Sequence, residues 1–422
     1  MSLLIRGGVV IDTDPSPYVT GHTDLLVENG LISAVGTGLT APAGAEVIDA
    51  TGRLVLPGFV DTHRHTWQAA VRSIATDVSF GGYLERVLGG LAPRFRPEDV
   101  YAGGLAGALE CLDAGITTLV DWSHIQLTPA HTEATVEALR RSGIRAVLGY
   151  CYGGPDGAAG LASEGRRVRD AYPDGPLFTL AVAALGPEIA GEPLALREWR
   201  LAADLGLPVT VHMGGHGAES AERGLAFLRE NDLLRHGTTY IHPNHYSDEA
   251  LKQIADSGGT ASVSPLIEAE LGIGHPATGR TRAAGIPTGL SADAVTSGPG
   301  DMFSLMRAAY VLERARPGGE GFTTRDVLRM ATIEGAEVAG LGDVTGSLRV
   351  GKQADVILLR TGTLSMAPAA DPIGAIALSA DTSCVHTVLV AGRIVKRDGR
   401  LLGHDVPAIL AALEESAAHL TT

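Results

Sequence analysis

Between residues 54 and 291 the chain alternates eight short apolar, strand-like runs with helix-like segments, which limits it to folds built from repeated β/α units. The runs are LVLPGFVD (54–61), GITTLVD (115–121), IRAVLGY (144–150), LFTLAVA (177–183), LPVTVH (207–212), GTTYIH (237–242), GTASVS (259–264) and GIPTGLS (285–291). Between them lie stretches such as PEDVYAGGLAGALECLDAG, PAHTEATVEALRRSG and SDEALKQIADSG. The last has a helix start, Ser247 followed by Asp248 and Glu249, and stops at Gly258. Eight units predict an α/β fold, a (β/α)8 TIM barrel. An open doubly wound sheet is the alternative. A nucleotide-binding version of it would place a glycine fingerprint after the first strand, where this chain has two histidines.

The two ends have a different texture. LLIRGGVVID, TDLLVENGLISAVG and AEVIDATGRLVL at the start, and GSLRVGKQADVILLR and CVHTVLVAGRIVKRDGRLLG near the finish, are short β-rich runs broken by Gly, Asn and Asp. They predict one small β-sandwich domain formed from both termini. The expected division is 1–57 for its first part, 58–344 for the barrel, and 345–422 for its second part with a C-terminal helix over PAILAALEESAAHL.

In TIM barrels chemistry sits at the C-terminal ends of the strands. Here those ends carry His63 and His65, Asp121 with His124, Tyr150, His212, His242, Ser264 and Asp293. On a strand, residues i and i+2 share a face, so His63 and His65 can present two imidazoles to one ion while Arg64 points away. Together with His212 and Asp293 they form a plausible set of ligands for a divalent transition ion. Taken singly, each of these residues could equally be a rim or core residue; the inference rests on their joint placement.

Composition narrows the partners. The 422 residues hold 33 Lys and Arg against 48 Asp and Glu, a net charge of −15, which argues against nucleic acid or an anionic membrane as a partner. Three scattered cysteines, Cys111, Cys151 and Cys384, argue against a disulfide framework or a cysteine metal cluster. Neither a leader nor an apolar run of membrane-spanning length is read in the sequence, so a cytoplasmic enzyme with a small-molecule substrate is expected.

Val55-Leu-Pro-Gly-Phe-Val-Asp-Thr-His-Arg-His65 resembles the first-strand signature of the amidohydrolase superfamily, and Gly346-Ser-Leu-Arg-Val-Gly-Lys-Gln-Ala-Asp355 resembles its post-barrel signature. The likeness is nearest to the branch with atrazine and triazine hydrolases, guanine and cytosine deaminases and related cyclic-amidine hydrolases. It implies one divalent metal, Zn with Fe or Mn as alternatives, held by His63, His65, His212 and Asp293. Two-metal members use a carboxylated lysine on the fourth strand; here no lysine precedes Lys252, so a mononuclear site is implied. The implied reaction is hydrolysis of a non-peptide C–N bond, by deamination or ring or amide cleavage, through a metal-bound hydroxide with Asp293 as general base. His242 matches the family histidine that contacts the reacting oxygen or polarises the substrate, and His245 could share that role. Homo-oligomers are expected by analogy.

One departure stands out. The deaminases place a proton-shuttling glutamate three residues after the fifth-strand histidine, and here that position is Gly215 in His212-Met-Gly-Gly-His216. His216, Glu268 and His275 are the candidates to replace it, with Glu268 the expected catalytic group. The gap also raises an alternative, in which the same metal site serves a lyase, dehydratase or isomerase reaction. For the substrate, Gln68 could read a ring or amide edge, and Trp67, Tyr83, Trp122, Tyr150 and Tyr152 could wall a flat pocket. Trp67, Gln68, Tyr150, His245 and His275 are the expected substrate contacts. No Arg or Lys cluster suits a phosphate, although Arg280 or Arg282 could receive a carboxylate, so a small neutral cyclic nitrogen compound is the default.

Overall fold

The structure, a computed structural model, describes residues 2–152 and 155–422. Two sheets organise it. The first contains β1 (Ser2–Asp12), β2 (Tyr18–Glu28), β3 (Leu31–Gly36), β4 (Glu46–Asp49) and β5 (Arg53–Pro57) from the start of the chain. The second is built from β6 (Phe59–Arg64), β7 (Ile116–Gln126), β8 (Arg145–Tyr152), β9 (Phe178–Ala184), β10 (Val209–His212), β11 (Thr238–Ile241), β12 (Thr260–Val263) and β13 (Thr288–Leu290). The chain then returns to the first sheet with β14 (Val356–Arg360), β15 (Val385–Val390), β16 (Arg393–Arg397) and β17 (Arg400–Leu401).

The terminal sheet runs β17-β16-β15-β14-β5-β1-β2-β3, with β4 pairing β1. Its halves join where β14 lies antiparallel to β5, with Val356 opposite Pro57 and Arg360 opposite Arg53. Leu3, Ile5, Val27, Val55, Val356, Leu358 and Leu389 form its buried apolar cluster. Most pairings are antiparallel; β4 and β5 run parallel to β1.

The other sheet is the (β/α)8 barrel, its eight strands in sequence order from β6 to β13. Trp199, Val209, Val211, Tyr240, Leu251 and Ile254 pack in one core cluster of strand and helix residues. The predicted helices form over Pro97–Asp113, Pro129–Ser142 and Asp248–Asp256, the last with the Ser247 hydroxyl accepting from the Ala250 N–H at 3.1 Å. The first predicted strand proves to be two. Pro57 ends β5, and Gly58 turns the chain into β6; a Cβ on Gly58 would sit 2.1 Å from Thr117 Oγ1.

At the closing seam the Thr62 hydroxyl donates to Leu290 O at 3.0 Å and meets Ser262 Oγ at 2.7 Å. Ser291 continues this hydroxyl network to Ser264 at 2.7 Å. Small polar residues therefore fill the barrel interior here, where bulkier ones would not fit.

By packing, the residues up to Asp61 group with Leu109–Thr118 and Asp301–His404 in one compact unit. Thr62–Ala108, Leu119–Gly300 and Asp405–Thr422 make a second unit. The C-terminal helix Val406–Thr421 thus falls in the second, where Leu420 joins a cluster with Trp67, Tyr83, Phe95 and Ile125. Among the described residues no helix is long and apolar enough to cross a membrane.

The seam has little spare room. A Cβ on Gly289 would lie 2.2 Å from Thr62 Cγ2. Gly289→Ala is expected to cost about 1–3 kcal/mol through overpacking, read as a melting temperature lowered by several degrees in a thermal unfolding scan.

Candidate metal centre

The centre is assembled by the backbone before any side chain is considered. Asp293 forms a parallel bridge with Arg64. Its N–H donates to His63 O and its carbonyl accepts from the His65 N–H, both at 2.9 Å. The carboxylate is thereby pinned between the two histidines. On the opposite side, the Met213 N–H donates to Ile241 O at 3.2 Å and the His242 N–H to Ser262 O at 3.1 Å, which sets His212 and His242 on neighbouring strand ends. Asp293 and His242 take positive φ, 56° and 60°, a region that non-glycine residues seldom occupy and that often marks a functional site.

The side chains converge. Asp293 Oδ1 lies 3.3 Å from His63 Nε2 and 3.2 Å from His65 Nε2. His212 Nε2 is 3.2 Å from His63 Nε2, and His242 Nε2 is 3.3 Å from Asp293 Oδ2. His65 Nδ1 donates to Trp122 O at 2.7 Å, so in the neutral ring its Nε2 is a lone pair facing an Asp293 oxygen. Burial lowers His63 to about 4 and pushes His212 well below the usual imidazole range, leaving both as neutral ligands. Lone pairs thus face one another across the centre. Atoms about 2.1 Å from a tetrahedral zinc ion would lie about 3.4 Å apart, close to these spacings. His63, His65 and His212, and likewise His63, His242 and Asp293, have ligand atoms within 4.8 Å of one another. The donor set fits a divalent cation.

His242 is held differently. Its Nδ1–H donates to Glu268 Oε1 at 2.9 Å, while the Ser264 N–H donates to the same oxygen at 2.8 Å. Burial opposes charge on His242, but the hydrogen bonds to Asp293 and Glu268 outweigh it and raise its pKa to about 10. Burial likewise opposes ionisation of Asp293, and its contacts with His242, His63 and His65 win, holding it well below the usual carboxylate range.

Above the centre opens a cavity of about 310 Å³. His65, His212, His242 and Asp293 line it together with Trp122 and His124. Leu84, Leu88, Leu185, Ile189, Leu271 and Ile273 give it a largely aliphatic wall. Among the described residues no arginine or lysine lines it. Its remaining polar groups are Tyr83, Glu188 and His216.

Residues 54–395 match the model of the amidohydrolase family. The chain belongs to the amidohydrolase family. It is 32% identical, over 99% of both chains, to a 5-methylthioadenosine/S-adenosylhomocysteine deaminase of Symbiobacterium thermophilum. A protein of the same name from Pyrococcus furiosus is 27% identical over 95% of this chain and 96% of its own. Among solved structures, an adenosine deaminase from Xanthomonas campestris with bound zinc aligns with a TM-score of 0.89 at 24% identity, covering 99% of this chain and 98% of that one. An atrazine chlorohydrolase from Arthrobacter aurescens TC1 complexed with zinc gives 0.88 at 24%, over 99% and 100%. As an amidohydrolase with deaminase relatives, the chain is a hydrolase of C–N bonds other than peptide bonds.

Of the residues expected at this amidohydrolase site, His63, His65, His212, His242 and Asp293 come together. Glu268 is buried behind His242 and is not part of the cavity lining. The expected substrate contacts lie elsewhere. Gln68 donates to the Tyr83 hydroxyl at 2.7 Å, so Tyr83 takes the wall position. Trp67 packs edge-on against Phe95 and donates to His124 Nδ1 at 3.3 Å. His245 Nε2–H donates to Ile273 O at 2.8 Å. Tyr150 faces a separate small cleft with Leu161 and Leu201, and His275 is solvent-exposed. Trp67, Gln68 and His245 are spent on packing or on fixing a neighbour, because the turns after β6 and β11 rotate them off the cavity.

Glu188 was not anticipated. It sits in the helix Gly186–Ala190 just after β9. Its side chain is fully buried; Oε1 accepts from the Gly214 N–H at 2.9 Å and Oε2 from His216 Nδ1–H at 3.2 Å. Glu198 braces this turn by accepting from the Leu185 and Gly186 N–H groups at 2.8 and 3.0 Å. Its position, four residues beyond the fourth barrel strand, was the available signal.

Because Glu268 helps to charge His242, Glu268→Gln in metal-free protein is expected to lower the His242 pKa from about 10 by roughly one unit or more. Titration of the ring by NMR measures it.

Proposed function

We propose that this amidohydrolase is a mononuclear, zinc-dependent deaminase that removes an exocyclic amino group from a small neutral nitrogen heterocycle, with aminopurine nucleosides as the first class to test. The observation that carries the reading is the convergence of His63, His65, His212 and the Asp293 carboxylate at the floor of a largely apolar cavity. The aliphatic wall and, among the described residues, the lack of a lining Arg or Lys favour an uncharged substrate over one bearing a phosphate or carboxylate. The names of the curated relatives support deamination of a nucleoside.

His63, His65, His212 and Asp293 would hold the ion, which supplies Lewis acidity and activation of water when bound. Asp293 is ionised and faces the cavity, as a group that takes a proton from the attacking water must. His242 keeps its Nδ1–H on Glu268 and aims Nε2 at Asp293 Oδ2, where it orients that carboxylate and can donate to the oxygen that gains charge. Trp122 O fixes the His65 tautomer that leaves Nε2 available as a ligand.

Purified protein is expected to carry close to one equivalent of zinc by elemental analysis. Asp293→Asn is expected to keep most of it while ammonia release from 5′-methylthioadenosine or adenosine falls by about 10²–10⁴-fold. Retention of turnover within a few-fold by that variant would remove Asp293 from its role. Reaction in ¹⁸O water decides between this reading and the non-hydrolytic one that Gly215 raises, since only hydrolysis places the label in the product.

A further inference from the structure

We infer that His216, held by Glu188, donates the proton that the departing nitrogen needs. The inference rests on the deaminase reading above and assigns a second acid to it. Amine loss requires a proton on nitrogen as the C–N bond breaks, and Asp293 is occupied with the proton of water. Gly215 cannot help, and the wall there is tight: a Cβ at that position would lie 3.1 Å from Ile273 Cγ2 and 3.2 Å from His242 Cβ. Among the described residues, the carboxylates that line the cavity are Asp293 and Glu188.

Glu188 is built into its place. Its carboxylate is fully buried, with one oxygen on the Gly214 N–H and the other on His216 Nδ1–H. Glu198 anchors the turn that presents it, and Gly224 makes room, since a Cβ there would stand 3.2 Å from Glu188 Cγ. A carboxylate that accepts the Nδ1–H fixes the orientation of the imidazole and leaves Nε2 as the position that carries the transferable proton. His216 lines the cavity, with Phe80 edge-on at 5.8 Å, and its side chain is 28% exposed, so bulk water can reload it. Glu188 is then a positioning residue and His216 the catalytic one.

The step balances. Asp293 accepts one proton of the attacking water as the C–O bond forms. His216 gives its Nε2 proton to the amino nitrogen, and the C–N bond breaks with its electron pair going to nitrogen. Solvent returns a proton to His216 and takes one from Asp293. The amine and one water thus become the hydroxy compound, or its keto tautomer, and ammonia.

The test is steady-state ammonia release from 5′-methylthioadenosine and adenosine by wild type, His216→Gln, His216→Ala and Glu188→Gln, each checked for melting temperature and zinc content. The expected result is a kcat lowered by about 10²-fold or more with KM within about threefold, and partial recovery of His216→Ala by added imidazole. Active variants, or a rise in KM with kcat unchanged, overturn the inference while leaving the deaminase reading standing. A variant that melts early is judged by imidazole recovery, which a purely structural role would not give; its absence in folded His216→Ala overturns the inference. Wild type that releases no ammonia from either nucleoside removes the reading and the inference together.

Discussion

The backbone bridge that sets Asp293 between His63 and His65 is the contact on which the site depends. Two 2.9 Å hydrogen bonds place an aspartate where its carboxylate must face two imidazole nitrogens. Both Asp293 and His242 accept left-handed backbone to stay there. Such strain persists only where surrounding structure holds it, and the seam of Thr62, Ser262 and Ser291 does so from below. Buried lone pairs that face one another are costly unless a proton or cation lies between them. His242 answers with a proton, raised by Glu268 and Asp293 together; His63 and His212 stay neutral and are left for a metal.

The cavity above shows what the site is shaped to receive. Its aliphatic wall and the lack of arginine and lysine in the lining among the described residues suit a compact neutral ring system, and the polar groups are concentrated at the His/Asp floor and at the Glu188–His216 pair. On the proposed reading, chemistry is confined to two places, one for activating water and one for proton delivery. The hydrogen bonds of Glu198 to the turn after β9 brace the segment that presents Glu188.

Much of this was legible in the sequence, for identifiable reasons. Strand ends are the part of a barrel whose side-chain direction sequence fixes best, because alternation along a strand is strict. His63, His65, His212 and His242 could therefore be placed without coordinates. Residues farther beyond the strand ends could not. Trp67 and Gln68 enter a short helical turn, Thr66–Val71, in which both are buried. Tyr150 pairs with Val182, which is opposite Val209 rather than His212, and it faces the outer cleft with Leu161. The sequence makes Glu268 a candidate catalytic group, whereas the helix Pro265–Glu270 turns it back onto His242 and Ser264. Glu188 escaped notice because Leu185-Gly-Pro-Glu188 carries no motif, and its meaning lies in a partner, His216, on the next unit. The fused run 54–61 shows the same limit, since nothing in its hydropathy reveals that Gly58 divides two sheets.

The central claim is that one cation is gathered by three imidazoles and a carboxylate. Anomalous diffraction from crystals of the protein as purified, collected on either side of the zinc absorption edge, tests it most directly. The account predicts a single strong anomalous peak within about 2.0–2.2 Å of His63, His65, His212 and Asp293 ligand atoms. A peak elsewhere, or none in protein grown and kept in zinc, would contradict it.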